Sequence, residues 1–265
     1  MTNTKKTTMK EKRASALYTS ALILHGNGKL LDYVDENGNA FKYAQVNTRA
    51  IIDCPFRSAG CEIVCYATKG NHVFPDVKAS RERSYNETRR TDFADAMIYT
   101  IETEKDSKRY SNATMLIRIH ESGDFYSVQY LKKWVKIWAH FDGNNTINFI
   151  FYTKSFVFFT MLSEQEKDVI RKGQQDGRIA ISASLDDTTT QEQIEAYLCM
   201  KKDFPLTNTY YCTENVKTVT YDNLCDCANC AKCGTCNKAT GKRTVVAIHS
   251  ASNDDMKEYH EKRRA

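Results

Sequence analysis

Eight of the ten cysteines in this 265-residue chain fall into two groups, and both groups have spacings typical of metal ligands. The first group is Cys54, Cys61 and Cys65, spaced Cys-x6-Cys-x3-Cys. The second is a run of five near the end of the chain: Cys225, Cys227, Cys230, Cys233 and Cys236. Thiolates that are close in sequence bind a soft metal with little loss of chain entropy. The clustering therefore predicts two metal sites.

The first group supplies only three thiolates, which leaves one coordination position open. For zinc, this position would hold water or a substrate. For a [4Fe–4S] cluster, it would leave one iron free to bind a small molecule. His72 could close the position instead, so a closed structural zinc site is the alternative.

The second group contains the segment Cys-x2-Cys-x2-Cys, which is the ligand spacing of bacterial ferredoxins. Zinc ribbons usually separate their Cys-x2-Cys pairs by a long loop, so an iron–sulfur cluster is favoured here. Zinc is again the alternative, because Cys236 follows after two residues and no proline comes after it. We interpret this run as an auxiliary or structural site.

The rest of the composition indicates a reduced, cytoplasmic protein outside the membrane. The sequence starts with a polar, basic segment and lacks the apolar stretch of a secretion signal. The apolar stretch 147–162 is interrupted by polar residues at 153–155, which favours a buried strand followed by a helix start over a membrane span. The net charge of +5 is mild. Basic residues at 5–13 and 78–90 make nucleic acid an alternative partner, against a disordered tail and a solvated helix face.

From about residue 91, apolar strands alternate with amphipathic helices. The clearest helical segment is 127–141, where Val128, Leu131, Val135 and Trp138 share one face. The strands between the helices are continuously apolar, as is typical of parallel strands buried on both faces. We therefore predict an α/β fold of βαβ units that form a partial (β/α) barrel. The predicted regions are a disordered basic tail (1–14), the barrel (15–224), a cysteine-rich metal-binding segment with the last strand (225–251) and a charged tail (252–265).

Polar residues occur within the later predicted strands and at their carboxyl ends. Loops that leave these ends share one face of a parallel sheet, so we expect the residues to meet there. They are His120, Glu121, Asp124, Tyr152, Lys154, Ser155, Ser182, Ser184, Cys212 and Glu214. Lys154 ends an apolar strand and must reach water or an anion. That anion would be a ligand carboxylate, a phosphate, Glu121 or Asp124.

Two of these residues have simpler alternatives. His120 is also compatible with a hydrogen-bonded histidine of the interior. Asp124 is also compatible with an N-cap for the helix that begins near Ser127, the commonest role of aspartate in such a position. Neither residue type, taken alone, decides between a structural and a catalytic role.

Several motifs, in the same order, resemble the bacteriophage and actinobacterial gene product 88 family. They are GNGKL near the start, CPFRSAGCEIVCYATKG, RIHESGDFYSVQYLKKW, FYTKS and the final cysteine run with His249. Together they span most of residues 20–249. The family is similar to radical S-adenosylmethionine enzymes, which use a partial (β/α) barrel with three cysteines near the first strand.

This resemblance implies a phage-type iron–sulfur enzyme with radical S-adenosylmethionine chemistry. Cys54, Cys61 and Cys65 would hold a [4Fe–4S] cluster whose open iron binds S-adenosylmethionine, and the C-terminal cysteines would hold an auxiliary cluster. The resemblance further implies catalytic roles for Lys154, His120 and Asp124. It implies cofactor contacts for Glu121, Tyr152, Ser155, Ser182, Ser184 and Glu214. The substrate would be a small molecule or a nucleotide. The alternative is a zinc-stabilised nucleic-acid-binding or regulatory protein without catalysis.

Overall fold

The computed structural model describes residues 7–24, 32–213, 223–224, 238–248 and 251–264. The strands are β1 (Leu22–Ile23), β2 (Tyr33–Val34), β3 (Ala40–Val46), β4 (Thr114–Ile119), β5 (Ile147–Thr153), β6 (Ile179–Asp186), β7 (Asn208–Thr213), β8 (Asn223–Leu224) and β9 (Arg243–Ala247). The helices are α1 (Met9–Arg13), α2 (Ala59–Ile63), α3 (Pro75–Arg89), α4 (Phe93–Lys105), α5 (Val128–His140), α6 (Phe156–Thr160), α7 (Glu164–Gln175), α8 (Gln191–Asp203) and α9 (Asn253–Arg264). Short 3₁₀ helices occupy Tyr66–Thr68 and Gly70–Val73.

The described strands form one nine-stranded sheet that is mostly parallel. Its order from edge to edge is β1-β3-β4-β5-β6-β7-β9-β8, and β2 also pairs with β3. β1 and β2 run antiparallel to β3, whereas every later pair is parallel. The predicted α/β class with a parallel sheet is thus confirmed. Strands β3 to β7 lie in chain order, and right-handed crossovers between such strands place their helices on one face.

The helix-covered face of the sheet carries the main hydrophobic core. Alternate strand positions point into it, among them Ile117 and Ile119 of β4 and Phe149 and Phe151 of β5. These side chains pack against apolar residues of the helices that follow each strand. Trp138 of α5, for example, stacks on Phe151 with ring centroids 5.4 Å apart. The amphipathic pattern of the α5 sequence therefore reports directly which side of the helix meets the sheet.

The opposite face receives the other residue of each alternating pair. Near the amino ends of the strands it carries a small apolar cluster of Tyr43, Leu116, Ile150 and Ala180. Towards the carboxyl ends the same positions become polar, and we call this region the polar face: Gln45, Arg118, Tyr152, Ser182, Ser184 and Asp186. The two faces of one sheet thus differ sharply in chemistry.

Local sequence signals account for most helix starts. Ser163 and Thr190 form the capping boxes that begin α7 and α8. The start of α4 lacks such a side-chain cap. The N-cap is Asp92, and its carboxylate makes no hydrogen bond to the helix because it pairs with Arg90 at 2.7 Å.

Both charged termini contain helix within their described residues. Residues 9–13, within the predicted disordered tail over 1–14, form α1. The reason is local and tertiary: Thr8 caps the helix, and Arg13 pairs with the buried Glu104 at 2.5 Å. The predicted charged tail at 252–265 contains α9, whose fully buried Tyr259 packs so closely on Gly60 of α2 that a Cβ atom there would clash.

The aromatic stretch 147–162 forms β5 and α6, as the sequence predicted. Within the described part of the chain, every helix is too short or too polar to cross a membrane.

Candidate functional site

The segment between β3 and α3, residues 47–74, carries the first cysteine group, and we call it the cysteine loop. Cys61 lies in α2, Cys54 precedes this helix and Cys65 follows it. All three thiols are free and partly buried. Burial raises the pKa of each thiol, that of Cys61 to about 11. The Cys54 thiol lies within electrostatic range of both others, so the loop gathers the three at the carboxyl edge of the sheet.

Lys154 and Asp186 form a buried ion pair beside the cysteine loop. The Lys154 Nζ lies 2.8 Å from Asp186 Oδ2, and the two side chains are 8% and 5% exposed. Burial opposes ionisation of Asp186, but the Lys154 ammonium and hydroxyl hydrogen bonds outweigh it and hold its pKa below the usual value. The anionic partner that the sequence predicted for Lys154 is therefore present. It is Asp186, whereas Glu121 and Asp124 make other contacts.

Asp186 also connects the sheet to α2. Ser58, the N-cap of α2, accepts the Cys61 N–H at 3.3 Å and donates its hydroxyl to Asp186 Oδ2. The Thr188 hydroxyl accepts the Gly60 N–H at 2.7 Å and donates to Asp186 Oδ1 at 2.7 Å. One carboxylate thus determines where α2, and Cys61 within it, lies relative to the polar face.

Asp124 anchors backbone at the end of β5 instead of capping α5. Its Oδ2 accepts the Lys154 N–H and its Oδ1 accepts the Thr153 hydroxyl, both at 2.8 Å. Burial raises the pKa of Asp124 to about 6, against the effect of these hydrogen bonds. The cap of α5 is Ser127, which accepts the Tyr130 N–H. Asp124 therefore fixes the position of Lys154 through its main chain.

His120 lies in the core beneath the helices, away from the polar face. Strand alternation would place it beside Arg118, but its φ of 64° breaks the alternation at the end of β4. Its ring packs edge-on against Phe125, and Nε2 is 3.0 Å from the Tyr130 hydroxyl. Burial lowers the pKa of His120 to about 3, so it is neutral at physiological pH. The interior alternative describes this residue.

Glu121 and Ser155 are buried and hold the strand-end loops together. The Glu121 carbonyl accepts the Tyr66 hydroxyl, and the Glu121 N–H donates to Asn47 Oδ1 at 2.8 Å. Ser155 donates its hydroxyl to the Phe125 carbonyl at 2.8 Å. These contacts join the cysteine loop to the loop after β4, and the loop after β4 to the end of β5.

The polar face holds the remaining described candidates, Tyr152, Ser182 and Ser184. Ser182 lies in register with Tyr152 on the neighbouring strand, and Ser184 offers its carbonyl to Lys154 Nζ at 3.1 Å. Cys212 of β7 lies in register with Asp186 and within electrostatic range of Cys61. A fourth free thiol therefore borders the cysteine loop from the sheet.

Within the described ranges, His, Cys, Asp and Glu side chains nowhere converge in threes closely enough for one metal ion. His72 Nδ1 is 2.5 Å from a guanidinium nitrogen of Arg81. The zinc alternative with His72 as fourth ligand stays a prediction. The other predicted ligands and contacts lie outside the described residues: Glu214, Cys225, Cys227, Cys230, Cys233, Cys236 and His249.

The sequence pattern did not single out three residues that matter at this site. Asp186 is the last residue of β6, two positions after Ser184, so the strand-end rule could have found it. Arg118 is a charged residue within an apolar strand, which is itself a signal because such residues are rarely buried without a reason. The only sequence signal for Ser58 was its residue type, which is common at the N-cap of a helix.

Two arginines of the basic segment 78–90 make contacts within the protein. Arg81 is buried and donates to a backbone carbonyl at 3.1 Å. Arg90 pairs with Glu87 at 3.0 Å and with Asp92 at 2.7 Å. These contacts reduce the cationic surface that this helix could offer to phosphate groups.

Comparison with known proteins finds a family and one phage relative. The family model described as gene product 88 matches residues 2–239. The Gene 88 protein of Mycobacterium phage L5 is 28% identical over 208 residues, which cover 73% of this chain and 80% of that protein. No solved structure matches the chain. The matched segment of the family model includes the cysteine loop, the polar face and all five C-terminal cysteines.

Proposed function

The chain belongs to the gene product 88 family, and we propose that it is an iron–sulfur protein whose [4Fe–4S] cluster is bound by Cys54, Cys61 and Cys65. The observation that carries the proposal is the placement of three free thiols on one loop at the carboxyl edge of a parallel sheet. The loop has no fourth cysteine, so one iron would keep a position for another ligand.

The donor set suits a cluster better than a single ion. Zinc needs its ligands within about 2.0–2.3 Å of one point, and the described side chains do not converge in this way. In a cubane cluster each thiolate binds a different iron, so its sulfurs stay further apart. Partial burial of the thiols also suits a cluster, whose properties depend on limited solvent access. Because burial keeps these thiols protonated, loading the cluster would release protons.

The chain order of the strands supports a further part of the proposal, a partial (β/α) barrel that binds S-adenosylmethionine at the cluster. The cysteine loop follows β3, the first of the parallel strands, which is the position that the resemblance to radical S-adenosylmethionine enzymes implies. Those enzymes normally have Cys-x3-Cys-x2-Cys. The longer x6 interval here includes Ser58, the residue through which Asp186 holds α2.

When bound, the cluster would supply the electron that cleaves the sulfonium of S-adenosylmethionine. The chain's own residues would position the partners. The pair of Lys154 and Asp186 fixes Cys61 through Ser58, and Asp124 fixes the main chain of Lys154. The catalytic role that the resemblance implies for His120 is not part of the proposal, because its ring packs against Phe125 in the helix-side core.

Purification without oxygen tests the cluster. Wild-type protein is expected to be brown, and the triple variant C54A/C61A/C65A to lose about four irons per chain. Cys199→Ala is the matched control, since Cys199 is an exposed thiol outside both groups, and this variant should keep all its iron. Colourless wild-type protein that contains only zinc would overturn the proposal and favour the zinc-stabilised, non-catalytic alternative.

Reductive cleavage of S-adenosylmethionine tests the enzymatic part. Reduced wild-type and Cys199→Ala proteins should both form 5′-deoxyadenosine, and the Cys61→Ala variant should form none. Chromatographic quantification of 5′-deoxyadenosine gives the readout. Protein that retains its iron but yields no 5′-deoxyadenosine would contradict the S-adenosylmethionine assignment and leave the cluster assignment standing.

A further inference from the structure

Two polar side chains on the polar face have buried atoms without hydrogen-bond partners in the described structure. Gln45 is 5% exposed and its Oε1 is unpaired, and the Nε of the partly buried Arg118 is also unpaired. The two residues lie in register on the neighbouring strands β3 and β4. Trp134 and Trp138 also have unpaired indole N–H groups, but these are enclosed in the aromatic core. Folded proteins rarely leave a guanidinium and a carboxamide unsatisfied side by side.

The Arg118 guanidinium is charged but lacks an acceptor at one nitrogen within the described structure. Burial opposes its ionisation, but nearby tyrosine hydroxyls and Glu121 lie within its electrostatic range and raise its pKa. Its buried Nε nevertheless has no acceptor among the described residues. The guanidinium carbon lies 5.2 Å from the centre of the Tyr152 ring, a contact that orients the group without neutralising it. The neighbouring cation, Lys154, is already matched by Asp186. An anionic ligand would supply the acceptor that the Arg118 Nε lacks among the described residues.

The residues around Arg118 and Gln45 indicate the chemistry of the rest of the ligand. Directly towards the amino ends of the strands, the same face becomes the apolar cluster of Tyr43, Leu116, Ile150 and Ala180. These side chains are almost fully buried and are already covered by the protein. The partly buried rings of Tyr152 and Tyr210, which pack edge to face 5.0 Å apart on the same side of the sheet, offer an aromatic surface beside the polar atoms. A ligand with an anionic head and an apolar or aromatic body would match both the polar atoms and the neighbouring rings.

We propose that Arg118 and Gln45 bind the carboxylate of a small apolar or aromatic acid on the polar face. A carboxylate matches the single guanidinium charge and its planar donor pair, whereas a phosphate dianion would require a second cation. Exchange of the carboxamide oxygen and nitrogen of Gln45 places an N–H at the unpaired position, where it donates to the carboxylate. The inference goes beyond the proposed function, because it requires neither the iron–sulfur cluster nor S-adenosylmethionine.

Benzoate and its neutral isostere benzamide are suitable probes. With the full chain as purified, benzoate should raise the thermal unfolding midpoint in a saturable way, with a dissociation constant on the order of a millimolar. Benzamide and inorganic phosphate should leave the midpoint unchanged at the same concentrations. Equal shifts with benzoate and benzamide, or a shift with phosphate alone, would overturn the carboxylate assignment. Absence of any shift with benzoate would show that the two side chains bind only water.

Substitutions then locate the site. Arg118→Met should weaken benzoate binding by at least about tenfold, and Arg118→Lys, which keeps the charge but loses the planar donor pair, should weaken it less. Arg171→Met removes an arginine of α7 whose partners are exposed, and it should leave benzoate binding unchanged. Unchanged binding in both Arg118 variants would place the benzoate elsewhere and overturn the proposal. The comparison of benzoate with benzamide on the wild-type chain needs no variant.

Discussion

The helix-covered face and the polar face of the sheet alternate along the same strands, yet they are built from different chemistry. Ile117 and Phe151 face the helices and meet large aromatic side chains such as Trp138. Arg118 and Tyr152, each one residue further along its strand, face the other side. Since burial of apolar area dominates folding stability, the helix-covered face supplies most of it. The polar face can then carry groups that are costly to bury.

His120 shows how sharply the two faces are separated. Simple alternation would add it to the polar face next to the cysteine loop. The positive φ at this residue turns its ring into the aromatic core, where it meets Tyr130. A single unusual backbone angle can therefore turn one side chain away from the functional face, while its neighbours in sequence remain at the site.

The largest expected difference between the faces concerns packing. Trp138→Ala should lower the free energy of unfolding by about 4–5 kcal/mol, because it empties a closed aromatic layer. Ile150→Ala on the other face should cost only about 2 kcal/mol, because its small cluster can relax more readily. Urea unfolding followed by circular dichroism measures both. Equal costs would contradict the assignment of stability to the helix-covered face.

The second difference concerns the buried ion pair. Asp186→Asn should destabilise the chain by about 3–4 kcal/mol, because it leaves the Lys154 ammonium buried without a counter-charge. The matched control is Asp168→Asn, which removes an exposed partner of Arg171 and should cost less than about 1 kcal/mol. The same urea titration measures both variants. Similar costs for the two would show that the pair on the polar face is screened by water.

The sequence predicted the elements well because their signals are local. The apolar residues of α5 repeat with the helical period, and the capping boxes at Ser163 and Thr190 are visible as short patterns. Continuous apolar strands between such helices predicted the parallel sheet. These signals depend only on residues within a few positions of one another, so they can be recognised without knowledge of the tertiary structure.

The site was harder to predict because its contacts join distant parts of the chain. Lys154 and Asp186 are on neighbouring strands, and Ser58 reaches Asp186 from a loop far earlier in sequence. Strand-end position correctly indicated that polar groups would gather at the carboxyl edge. It could not indicate which of them would pair, since this depends on register between strands. Nor could it indicate the positive φ at His120.

Asp124 provides a pH-dependent test at the boundary between the faces. Burial raises its pKa to about 6, so between about pH 4 and pH 6 the folded state retains a proton that the unfolded chain releases. The stability that this group contributes should therefore fall as pH rises through this window and remain low above it. The loss is about 3 kcal/mol for a shift of about two pKa units.

Asp124→Asn removes this titration. Although the amide also loses a hydrogen-bond acceptor, that loss does not depend on pH. The difference in free energy of unfolding between wild type and variant, measured in urea at several pH values, should change by about 2 kcal/mol from pH 4 to pH 7, with the wild type losing relative stability. A constant difference would show that Asp124 keeps the pKa of an exposed aspartate.

Substitution of Ser58 should cause the smallest change in stability but a clear loss of iron from the proposed metal site. Ser58→Ala removes the cap of α2 and one hydrogen bond to Asp186, at a cost of about 1 kcal/mol. Because Ser58 links Asp186 to the helix that contains Cys61, iron retention should fall much more than this small cost suggests. Iron content after anaerobic purification, compared with that of the matched cap variant Ser127→Ala in α5, separates the two effects. If both cap variants keep their iron equally well, then the polar face does not position the cysteine loop, and the two regions act independently.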